Sequence, residues 1–105
     1  MSSNTSECRI VFLTGDYHQS LVWRKTAQEW LLATGAPITP GVTGTIAQTY
    51  RGERFDSVTA VSAEAATDPH WSVEIALRLD DPTGASRTIR DVLAAVALPH
   101  GARIL

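Results

Sequence analysis

Three histidines, one cysteine and a few clustered carboxylates are the groups in this 105-residue sequence best suited to catalysis or metal binding. His18, His70 and His100 each fall at the end of a predicted element, and no two have the i, i+4 or His-x-His spacing of a local metal site. They read as surface histidines in turns, and the sequence predicts no metal. Cys8 sits alone inside an apolar run, so it can form neither an intrachain disulfide nor a cysteine zinc cage, and it reads as a packed thiol. Asp80 and Asp81 are neighbours at a strand end, where adjacent side chains point to opposite faces; helix capping fits them better than paired acid–base work. Asp16, Tyr17 and His18 make the densest polar cluster, placed where a strand gives way to a helix, a position that often borders a cleft.

The loop at 35–44 holds three glycines and two prolines but neither Gly-x-Gly-x-x-Gly nor a following Gly-Lys-Ser/Thr, so it is no phosphate cradle. A Gly-x-Ser-x-Gly elbow is absent as well. With no nucleophile device and no cofactor loop, the sequence predicts no catalytic residue and no cofactor, and reads as a binding protein rather than an enzyme.

Nine basic and eleven acidic residues give a net charge of −2, and the basic residues are interleaved with acids. Nucleic-acid binders concentrate Lys and Arg on one surface, so no nucleic-acid partner is expected. Residues 1–6 are a polar lead without the basic start and apolar block of a secretory signal, and the apolar runs are too short to span a bilayer. The expectation is a cytoplasmic protein with no membrane contact, built as a loosely ordered lead at 1–7 and a single domain at 8–105.

The elements that must position these groups follow from periodicity. Trp71, Val73, Ile75, Leu77 and Leu79 alternate with Ser72, Glu74, Ala76, Arg78 and Asp80, which predicts a strand over 71–80 with one dry and one wet face. Residues 8–14 read as a first, central strand. Trp23, Ala27, Trp30, Leu31 and Thr34 share one stripe of a helix over 17–34, capped by Asp16 and ended by Gly35 and Pro37. A hairpin about Arg51-Gly52-Glu53 joins predicted strands at 45–51 and 53–63. The Thr67–His70 and Asp81–Gly84 segments are turns. Ile89, Val92, Leu93, Val96 and Ala97 mark the apolar stripe of a second helix, capped by Ser86 or by the Thr88/Asp91 box and ended by Pro99 and Gly101. Residues 102–105 form either a short edge strand or a packed tail.

The order β-α-β-β-β-α, with that optional last strand, predicts an α+β two-layer sandwich: a mostly antiparallel sheet carrying two helices on one face. The order resembles that of ribosome-hibernation-type factors, and its last five elements resemble double-stranded RNA-binding domains. Both imply a basic surface, which this chain lacks, and topology alone does not carry function.

Two layers leave one sheet face open, with Glu74, Arg78 and Asp80 looking outward. The leading expectation is therefore a small non-enzymatic binding protein of regulatory, inhibitor or immunity type, whose partner is another protein or a second copy. Arg78 is the expected anchor, since its planar guanidinium grips a carboxylate while its stem packs on the sheet. The competing expectation is a small-ligand-binding or catalytic domain, with a pocket between Trp23 or Trp30, the 35–44 loop and the Asp16–Tyr17–His18 cluster. Buried tryptophans favour the first, tryptophans lining a cavity the second.

Overall fold

The computed structural model describes residues 5–80 and 84–105. Five strands, β1 (Ser6–Gly15), β2 (Val42–Tyr50), β3 (Glu53–Arg54), β4 (Trp71–Leu79) and β5 (Arg103–Ile104), form one sheet in the order β3-β2-β4-β1-β5, every pair antiparallel. Helices α1 (Tyr17–Ala33) and α3 (Gly84–Ala97) pack on it, and a single turn and a half, α2 (Ala63–Thr67), precedes β4. Strand β4 lies between β1 and β2, and β1 lies between β4 and β5. The result is two interleaved split βαβ units, the ferredoxin-like arrangement. The predicted α+β two-layer sandwich is the observed fold.

The period of two along β4 is what builds the core. Trp71, Val73, Ile75, Leu77 and Leu79 are all buried, each at 2% exposure or less. The antiparallel register aligns them with residues of both neighbours, so that Ile10, Ile75 and Ile46 form one row across three strands and Cys8, Leu77 and Gly44 the next. Against these rows α1 presents Ala27 and Leu31, and α3 presents Ile89, Leu93 and Ala97. At Gly44 the Leu31 side chain fills the space a Cβ would take, with Cδ2 only 2.7 Å from that position, so a larger residue would have to displace Leu31. Gly41, at φ +78°, turns the chain into β2 with its Cβ position 2.8 Å from the Asp80 carbonyl oxygen.

Asp16 caps α1 as expected, accepting a hydrogen bond from Gln19 N at 2.9 Å, and Gly35 takes the left-handed conformation just past its end. Four expectations need correction. The strand expected at 53–63 is only two residues long: after a last backbone bond from Phe55 N to the Gln48 carbonyl the chain turns away, with the Phe55 ring packed on Tyr17 and Trp71, and Ser62 caps α2 instead. Ser86 does not cap α3; it lies inside the helix and is buried. The sheet contact of α3 runs along residues 86, 89, 93 and 97, leaving Val92 and Val96 exposed. The first strand, expected over 8–14, begins at Ser6, where it pairs with Leu79. Residues 102–105 do supply an edge strand, β5, extended by the paired Arg9 and Leu105 backbones. Asp81, Pro82 and Thr83, on which the Asp80–Asp81 pair and part of a predicted turn fall, lie outside the described residues. Among the described residues no helix is long and apolar enough to cross a membrane.

Candidate functional site

The sheet face opposite the helices is built by alternate residues of three strands: Glu7, Arg9, Val11 and Leu13 on β1, Ser72 to Arg78 on β4, and Thr43 to Thr49 on β2. Small side chains fill its middle, so the surface is flat. A shallow hollow of about 280 Å³ opens there, lined by Glu7, Arg9, Thr43, Thr45, Ala76 and Arg78 among others. Of the three residues expected to bind, Arg78 and Asp80 stand together, with Arg78 Nε donating to Asp80 Oδ1 at 3.1 Å and both side chains at least half exposed. Thr5 Oγ1 donates to the same carboxylate oxygen at 3.2 Å. Glu74 is paired elsewhere. It accepts a hydrogen bond from Arg9 Nε of the adjacent strand, at the diagonal position of the register, and is only 8% exposed. The face thus carries two cross-linked charge pairs, with Arg78 the more exposed centre.

The residues of the alternative pocket take separate partners. Asp16 is spent on the helix cap. Tyr17 packs edge-on against Trp71 and Phe55, while His18 is exposed beside it. Trp23 and Trp30 are half-buried, meeting Phe12 on the sheet side and His100 on the other, with the Trp30–His100 rings stacked at 5.2 Å. In the 35–44 segment, Ala36 enters the core and Val42–Gly44 begins β2. The two tryptophans act as a lid on the core edge, closed by His100.

A denser polar site forms at the predicted Thr67–His70 turn. Asp68 accepts from Tyr50 OH at 2.8 Å, from Arg51 Nη2 at 2.6 Å and from its own neighbour His70, through both the backbone N–H and Nδ1. Burial works to raise the Asp68 carboxyl, but hydrogen bonds from His70, Arg51 and Tyr50 outweigh it and hold the group well below the ordinary carboxylate range. Beneath the network, Tyr50 stacks on Trp71 at 4.7 Å, and Trp71 Nε1 donates to the Ala65 carbonyl at 2.7 Å. The cluster ties the β2–β3 turn, α2 and the start of β4 together. An Asp-x-His beside a predicted strand was its one sequence signal. Cys8 is buried, and that burial pushes its thiol up, against Arg90, which lowers it, and with Asp91, which raises it, so the thiolate needed for nucleophilic work is disfavoured. Among the described residues no group of three His, Cys, Asp or Glu side chains could hold a metal ion.

No protein-family model matches the chain, and no curated protein matches it. Among solved structures the chain has low similarity to two proteins, an amidase and an aminohydrolase by their descriptions. A hydantoinase/carbamoylase family amidase from Burkholderia ambifaria is 16% identical at a TM-score of 0.46, and a protein assigned as an aminohydrolase from methicillin resistant Staphylococcus aureus is 14% identical at 0.45. The match takes in 100% and 96% of this chain but 27% and 28% of theirs, so the chain spans about a quarter of each. Likeness at this level carries no argument about activity.

Proposed function

We propose that the protein is a non-enzymatic binding module that works through the open face of its sheet, and that a second copy of the chain covers that face. The observation that carries this reading is the mix of exposed charge around a flat centre: Glu7 and Asp80 stand among Arg9, Arg78 and Arg103 beside the exposed Thr43 and Thr45, with Glu74 buried and paired to Arg9. A two-fold axis through such a face can set acids of one copy opposite bases of the other, which suits an isologous interface. The small residues let two sheets approach closely, and Arg78 has the planar donors to grip a carboxylate across the gap.

Sedimentation velocity from about 5 µM to about 500 µM tests it across the range of weak dimers. The wild type is expected to shift to dimer with concentration, while Arg78→Glu and Ala76→Arg remain monomeric at unchanged melting temperature. A wild type that stays monomeric throughout, or variants that associate like it, would refute the proposal.

A further inference from the structure

We infer that the free edge of β2 is a second binding site, independent of the open face, that takes an extended acidic segment of a partner protein. In an antiparallel ladder, alternate residues direct both backbone polar groups to the same side. Arg51 N donates to the His70 carbonyl and Asp80 N to the Gly41 carbonyl, so the odd positions of this segment serve β4. Phe55 N donates to the Gln48 carbonyl at 2.9 Å, so the even positions face outward. Because β3 covers only Thr49 and Tyr50, the outward N–H and C=O groups of Gly44 and Ile46 meet no partner among the described residues. Natural edges are blunted by charges, prolines or bulges; residues 42–47, Val-Thr-Gly-Thr-Ile-Ala, have none of the three.

Charge selects the occupant. Where β3 stops, the chain swings out and leaves a hollow of about 380 Å³ against the same edge, lined by Arg24, Gln48, Arg54 and Asp56 among others. Neither guanidinium has a carboxylate partner among the described residues. Asp56 is the only acid in the lining, and its Oδ1 accepts from Val58 N at 2.9 Å. The half-buried Arg24 reaches the Oε1 of Gln48 at 3.4 Å, and the Gln48 amide is fixed in turn by donating to Ser20 Oγ at 2.7 Å. A strand added to β2 would gain main-chain hydrogen bonds along the edge, and an Asp or Glu at its end would meet two arginines whose forks match a carboxylate. A second copy of the edge is the poorer occupant, since residues 42–47 bring no acid to the arginines.

The test is a titration of 15N-labelled protein with an acetylated, amidated six-residue peptide alternating valine and glutamate, against the same peptide with glutamine for glutamate. The acidic peptide is expected to shift the Gly44, Ile46 and Gln48 amides and to slow exchange at Gly44 and Ile46. Affinity should fall about tenfold or more in Arg54→Gln, whose side chain is exposed and makes no ion pair among the described residues, and fall again as salt rises from about 50 to about 500 mM. Arg24→Gln should do the same, with its fold checked by circular dichroism. No shift at about 1 mM peptide, equal binding of the glutamine peptide, or indifference to Arg54→Gln would overturn the inference. So would concentration-dependent protection of Gly44 and Ile46 in the protein alone, which would give the edge to a second copy.

Discussion

Replacing Ile75 with alanine tests the core at its centre. Ile75 lies in the middle of β4, is fully buried, and stands between Ile10 and Ile46 in the same cross-sheet row. The substitution deletes three carbons, worth about 2.4 kcal/mol at ~0.8 kcal/mol per buried methylene. The neighbours are held by the ladders on both sides and by two helices above, so collapse is incomplete. A residual cavity of about 80 Å³ would add about 2 kcal/mol at ~24 cal/mol per Å³. The expected loss is therefore about 4–5 kcal/mol, read as a lower urea midpoint at unchanged slope. Leu13→Ala, on the open face and 71% exposed, serves as the control and should cost under about 0.5 kcal/mol. Equal midpoints for Ile75→Ala and wild type would show that the dry face of β4 has been assigned to the wrong side.

Two further outcomes follow from particular residues. The depressed Asp68 carboxyl contributes stability that is full above the ordinary carboxylate range and is lost as pH falls below about 4 toward the lower folded value. Asp68→Asn should thus be less stable than wild type at pH 7, and the gap should narrow on acidification; a gap constant from pH 7 to pH 2 would contradict the network. Gly41→Ala combines a left-handed backbone with a Cβ 2.8 Å from the Asp80 oxygen, and thermal melts should show a loss of about 1–3 kcal/mol, whereas an unchanged melt would mean the turn is easily rebuilt.

The dry faces were legible in the sequence because periodicity is local. The alternation of Trp71 to Leu79 and the stripe through Ala27 and Leu31 mark their buried sides without knowledge of what covers them. Val92 and Val96 are as apolar as their neighbours, yet a helix lying on a flat sheet touches it along one narrow line, and residues 86, 89, 93 and 97 occupy that line. The short β3 was hidden for a related reason. Alternation at 58–63 resembles a strand, but the chain turns away after Phe55, whose ring packs on Tyr17 and Trp71, a contact across 16 and more positions. The helix layer also leaves Leu21, Val22 and Leu32 of α1 exposed, which a stripe read from five residues did not capture. Of the candidate site, strand parity placed Arg78 and Asp80 on the open face correctly. The pairing of Glu74 with Arg9, and the gathering of Tyr50, Arg51, Asp68 and His70, depend on register and turn geometry that no local pattern encodes.

The open face as the contact surface is tested most directly by amide shifts of the 15N-labelled protein as its own concentration is raised. Changes confined to Glu7, Arg9, Thr43, Thr45, Ala76 and Arg78, and abolished by Arg78→Glu, are the predicted result. Changes at Leu21, Val22 and Leu32 on α1 with the sheet residues unmoved would contradict it and move the interface to the helix layer.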